Sequence, residues 1–121
     1  MKTTLLIIAA FFLLSFGIGT EAHARNGIQV ASWYGHAFEG RPMANGQIFR
    51  SDDPTIAAHR YLPLGTKAIV INLKNGKRIE VVITDRGPFV KGRTLDLSQE
   101  GAKQLGFEEE GVASVALLIV H

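Results

Sequence analysis

At 121 residues, 46% of them apolar and none of them cysteine, the chain has room for one small core and no disulfide to brace it. Thirteen Lys and Arg against eleven Asp and Glu give a formal charge of +2 with no run of like charge, which excludes the basic face of a nucleic-acid binder. The lack of cysteine also excludes a thiol nucleophile, a zinc-thiolate site and a lipid-modified cysteine.

Lys2 precedes an apolar run from Leu5 to Leu14, and Ala22-His23-Ala24 follows, the charged, apolar, small-x-small order of a secretory signal peptide. Ser15, Gly17, Gly19, Thr20 and Glu21 dilute the segment too early for the about 20 apolar residues that a membrane-spanning helix needs. The expectation is cleavage after Ala24, leaving residues 25–121 as one exported domain, periplasmic or secreted, with no membrane anchor.

Ile28 to Tyr34 alternates apolar and polar residues and reads as a first strand. Gly35 to Pro54 is a long irregular stretch whose Phe38 and Phe49 argue for an ordered loop, and long ordered loops in small domains tend to serve binding. Thr55-Ile56-Ala57-Ala58-His59 reads as a small-residue strand. Lys67–Leu73 and Lys77–Thr84 are β-branched runs joined through Asn75-Gly76, whose residues accept the positive φ angles of a tight hairpin. Ser98 offers an N-cap, Glu100 and Lys103 complement the helix dipole and Gly106 supplies a stop, so a short helix is predicted over Gln99–Leu105. Val112–Val120 is too short to span a membrane and reads as a buried strand closing the sheet. Several short strands, one small helix and Gly/Pro-rich connections make a small β-barrel or sandwich.

Asp85 is the strongest candidate for chemistry: it ends an apolar strand at Arg86-Gly87-Pro88-Phe89, where Gly87 and Pro88 force a turn. A carboxyl half-buried against an apolar wall such as Phe89 would keep its proton to higher pH and could act as a general acid. The plainer alternative is that Asp85 pairs with Arg86 or caps the turn. His59 could orient that carboxyl or bond a substrate hydroxyl, or be a satisfied structural residue; His36 and His121 are weaker candidates. No histidine pair has the spacing of a zinc-binding helix, and no metal or cofactor is expected. Asp96, just ahead of the helix, is assigned a structural role accepting backbone N–H bonds. Trp33, Tyr34 and Phe38 could present a flat face for stacking on sugars, or belong to the core. Ser-based catalysis and phosphate-cradling loops have no motif here.

Taken in order, Ala31-Ser32-Trp33-Tyr34-Gly35, Gly40-Arg41, Ala44-Asn45-Gly46, Ala57-Ala58-His59, Leu62-Pro63-Leu64-Gly65-Thr66, Asp85-Arg86-Gly87-Pro88-Phe89 and Asp96-Leu97-Ser98 resemble the rare lipoprotein A-like (RlpA-like) family from about Val30 to Val120. The resemblance implies a six-stranded double-psi β-barrel with one or two short helices. It also implies a lytic transglycosylase of peptidoglycan glycan strands, cleaving between N-acetylmuramic acid and N-acetylglucosamine to leave 1,6-anhydro ends. It places Asp85 as acid/base with His59 as its catalytic partner, Tyr34, Gln47, Arg86 and Phe38 along the substrate, and Asp96, Gly87 and Pro88 in structural roles. Two departures stand out: Gln47 occupies a position where many members carry Glu, and Met43 one where many carry Thr, removing a hydroxyl expected near the groove. The alternative reading is a non-catalytic, expansin-like module that binds or loosens the wall; a small inhibitor or structural partner of other proteins is a third class. A monomer is expected in each case.

Overall fold

The computed structural model describes residues 27–121; the expected signal peptide, residues 1–24, lies outside them. Six strands form a closed barrel: β1 (Gly27–Trp33), β2 (Ile56–His59), β3 (Lys67–Asn72), β4 (Arg78–Arg86), β5 (Leu95–Leu97) and β6 (Val112–Val120). Their order around the barrel is β1-β5-β2-β4-β3-β6. The β1–β5 and β2–β4 pairs are parallel and the others antiparallel. This is the six-stranded barrel that the resemblance implies, with one helix among the described residues, α1 (Gln99–Leu105), and a 3-10 turn at His36–Phe38.

The hairpin forms as its turn chemistry predicts: β3 and β4 pair in register from Lys67 opposite Val82 to Ile71 opposite Arg78, and Gly76 takes φ 75°. Helix α1 has the predicted bounds. The Ser98 side chain accepts from the Gly101 amide at 3.0 Å, and Gly106 is left-handed at φ 80°. Ser98 is fully buried, so Ser98→Ala leaves that amide without its acceptor. The expected cost is about 1 kcal/mol, read as a drop of several degrees in the thermal midpoint.

Barrel closure is achieved by β6, which pairs with β1 on one side and β3 on the other. It is not a strand buried on both faces, as its apolar run suggested. Val115 and Leu117 enter the core, whereas Val112, Leu118 and Val120 are 41%, 41% and 42% exposed. A barrel wall has one wet face, and this strand carries apolar residues on it as well.

Two apolar clusters stabilise the chain. One fills the barrel with residues such as Ala31, Val70, Ile83, Leu95, Leu97 and Leu117, and seats α1 through Ala102 and Leu105. The other lies outside the wall, where Tyr34, Met43, Phe49, Ile56 and Ala58 pack beneath the 35–54 loop. That second cluster explains why the loop is ordered. Within it Phe49 N donates to Arg41 O and Met43 N to Gln47 O, while Asn45 N reaches across to Thr84 O at 3.1 Å.

Candidate functional site

Where β2 and β4 run parallel, the register shifts: Ala57 faces Ile83, but Ala58 faces Asp85, leaving Thr84 as the extra residue. In an unbroken strand Asp85 would follow Ile83 onto the core face. The bulge turns it outward instead, to the side where Ala58 packs. Ala58 is also paired with Asp96 on β5, and Asp96 with Ser32 on β1. Asp85, Ala58, Asp96 and Ser32 therefore form one rung across four strands, with the two acids two strand spacings apart, about 10 Å along the backbone. The smallest chiral side chain stands between them.

The Asp85 carboxylate is half-buried and held from three sides. Oδ1 accepts from Ala44 N at 2.9 Å and Arg86 N at 2.8 Å, and Oδ2 accepts from the Tyr34 hydroxyl at 2.9 Å. Backbone amides can only donate, so they keep Oδ1 an acceptor. Oδ2, facing a hydroxyl that can donate or accept, is the oxygen able to carry a proton. The apolar wall expected from Phe89 is absent: that side chain is 78% exposed, its ring lying over Gly87, where a Cβ would sit 3.4 Å from it. Gly87 has φ 119°, which side-chain-bearing residues rarely adopt, and with the buried Pro88 it fixes the turn as expected. Arg86 does not pair with Asp85; its Nη1 donates to His59 O at 3.0 Å, tying the ends of β2 and β4 together.

Asp96 accepts a side-chain bond in place of the backbone N–H bonds expected of it. It lies inside β5, the helix amide is capped by Ser98, and its Oδ1 accepts from the Ser32 hydroxyl at 2.8 Å. Burial raises its pKa from 3.8 to about 6; the Ser32 hydroxyl and Arg93 pull it down, and the Asp85 charge pushes it up. Tyr34 sits between the acids electrically. Burial first, then Asp85 and Asp96, drive its phenol far above its ordinary pKa, so it remains a hydroxyl donor.

His59 points into the barrel end and is fully buried. Its Nδ1 accepts from the Tyr61 and Leu62 amides, each at 3.2 Å, which leaves the proton on Nε2, donated to Gln29 Oε1 at 2.9 Å. Gln29 Oε1 accepts from the Thr94 hydroxyl as well, at 2.6 Å. Burial, and then Arg86, lower the His59 pKa to about 4, keeping the ring neutral. The imidazole is thus committed to this network rather than to Asp85, and its residue serves the site through the carbonyl that holds Arg86.

Of the two readings of Trp33, Tyr34 and Phe38, the flat aromatic face does not form, because alternate residues of a strand leave on opposite faces. Trp33 packs against the barrel core and donates from Nε1 to Glu108 O at 3.1 Å. Tyr34 turns outward, stacked at 4.3 Å on Phe49, and Phe38 meets it edge-on at 5.5 Å. Of the three, Phe38 is the exposed ring, at 47%. Met43 is buried under the site and accepts from the Thr84 hydroxyl at 3.2 Å, so its position does not face the groove. Gln47 is exposed on the loop, its Oε1 accepting from Asn45 Nδ2 and its amide donating to Asn45 Oδ1. Ser32 is the site residue that sequence reasoning missed; its place in the Ala31-Ser32-Trp33-Tyr34 motif, two residues before Tyr34, was the available signal.

Residues 27–117 match the family described as Lytic transglycolase. A Synechocystis protein named probable endolytic peptidoglycan transglycosylase RlpA is 52% identical over 92 residues, covering 76% of this chain and 28% of that one. An Aquifex aeolicus protein of the same name is 54% identical over 82 residues, covering 68% and 36%. The chain thus spans about a third of the length of these relatives. Among solved structures, a mutant Clavibacter michiganensis expansin in complex with cellohexaose has the same fold, with a TM-score of 0.63 and 18% identity over 79% of this chain and 50% of that one.

Proposed function

The chain belongs to the RlpA-like lytic transglycosylase family of double-psi β-barrels, and from that premise we propose that it cleaves peptidoglycan glycan strands with Asp85 as acid and base. The observation that carries the reading is the clamp on Asp85: two amides fix Oδ1 and leave Oδ2, beside the Tyr34 hydroxyl, to exchange the proton. In the first step Oδ2–H protonates the glycosidic oxygen, and the bond from muramic acid C1 to that oxygen breaks as positive charge develops at C1. In the second, the muramyl C6 oxygen bonds to C1 and its proton passes to Asp85, restoring the acid. No water enters, so no second carboxyl is needed to activate one. This matters here, because the loop position beside the site holds Gln47, which cannot exchange a proton at neutral pH.

The relatives are named peptidoglycan transglycosylases, and the expansin of like fold was solved with a glucan chain, which supports a glycan as the ligand. The sequence before Arg25 supports export to the periplasm or medium. Incubation with peptide-free and peptide-bearing glycan strands, followed by mass spectrometry, tests the activity: products lighter by one water than hydrolysis products are expected. Intact strands that nevertheless retain the protein would favour the second reading, a wall-binding module, for which Gln47 is the supporting observation.

Tyr34→Phe removes the hydroxyl on Oδ2 and keeps the ring that packs on Phe49. It is expected to lower kcat by roughly ten-fold, the equivalent of one hydrogen bond in the transition state, with KM and the thermal midpoint little changed. Steady-state kinetics on glycan strands checks both numbers.

A further inference from the structure

Residues that share an outward strand face recur every second position, about 6.6 Å apart. One such step from Ser32 on β1 is Val30, and Thr94, which precedes β5, donates its amide to Val30 O at 3.2 Å. Val30 and Thr94 line a concavity of about 300 Å³ together with Gly27, Ile28, Gln29, Tyr61 and Gly92. The concavity thus lies along β1 from Ser32, and none of Asp85, Ala58, Asp96 and Ser32 lines it. Its volume is at the lower end for small-molecule sites, the scale of a single sugar ring rather than a chain.

We infer that this concavity is a distal saccharide subsite, removed from the scissile bond, and that it takes one N-acetylated hexosamine ring of the glycan strand. The inference rests on the proposed glycan-cleaving function. Three features match that ligand. The Tyr61 ring is 60% exposed, yet it is steadied by an edge contact with the buried His59 ring at 4.6 Å, giving a fixed platform for the apolar face of a pyranose. The Gln29 amide must present its oxygen to the Thr94 hydroxyl and the His59 Nε2–H, which leaves its NH2 group as the donor for an acetamido carbonyl. Ile28, 72% exposed, and Val30 supply the apolar surface that an acetamido methyl covers. The same network that keeps His59 neutral thereby orients the floor of the subsite.

The full chain and its Tyr61→Ala and Tyr61→Phe variants, each checked for an unchanged fold by thermal melting, are compared on peptide-free peptidoglycan strands by pull-down and steady-state kinetics. Tyr61→Ala is expected to raise KM about ten-fold and weaken retention in parallel while kcat stays within about two-fold; Tyr61→Phe, which keeps the ring, stays close to wild type. Wild-type KM in Tyr61→Ala overturns the subsite and leaves the function standing. A wild-type chain that neither binds nor cleaves the strands overturns the functional reading and the subsite with it.

Discussion

Asp85→Asn is expected to lower the release of anhydro-muramyl products by between about 10² and 10⁴ fold, the range for loss of a general acid–base group, while the protein still binds glycan strands. The substitution is close to isosteric. The Asn oxygen can take the Ala44 and Arg86 amides that Oδ1 accepts, and its NH2 can donate to the Tyr34 hydroxyl, so the clamp and the loop it secures persist. Folding and binding are therefore expected to survive while proton exchange is lost, and that separation makes the experiment decisive. Release at the wild-type rate would remove Asp85 from the mechanism. Asp85→Glu is a useful companion, because the longer side chain displaces the acid from amides set to hold the shorter one.

The second large effect concerns stability and pH. Asp96 has its pKa raised from 3.8 to about 6 in the folded state, so folding favours its protonated form. Its contribution is fully present below about pH 4, is lost as pH rises towards 6, and is a constant cost above that, worth at most about 3 kcal/mol. His59 has the opposite sign. Its pKa is lowered from 6.5 to about 4, so folding favours the neutral ring; its contribution is full above about pH 6.5 and is lost as pH falls towards 4. In the wild type the two slopes oppose each other over nearly the same window. Asp96→Asn removes one of them and keeps an oxygen to accept from Ser32. The variant is expected to match wild-type stability near pH 4 and to exceed it by up to about 3 kcal/mol above pH 6.5, with its own stability rising across the interval. Urea melts at half-unit pH steps measure this; a stability difference independent of pH would show that Asp96 does not carry the raised pKa.

A gain in stability from removing a charge identifies a group retained at a cost. Asp96 stands on the rung with Asp85 and raises the Tyr34 phenol along with it. Its assignment as a helix-start residue relied on its neighbours in sequence, Leu97 and Ser98, whereas its interactions are with Ser32 and Asp85, on other strands.

What the chain determines by itself is local. Asn75-Gly76 sets the β3–β4 turn because few other pairs tolerate its backbone angles, and Ser98 with Gly106 bounds α1 because the unpaired amides and carbonyls of helix ends need those caps. The Asp85-Arg86-Gly87-Pro88 turn was legible for the same reason. The facing of the site residues was decided only when the barrel closed. The bulge at Thr84 turns Asp85 out of the core, the β2–β4 and β2–β5 registers set Ala58 between two acids, and the closed barrel end takes the His59 ring. Register and bulge position depend on contacts between strands that are far apart in sequence, and a one-residue slip exchanges inside for outside; local sequence signals do not carry that information.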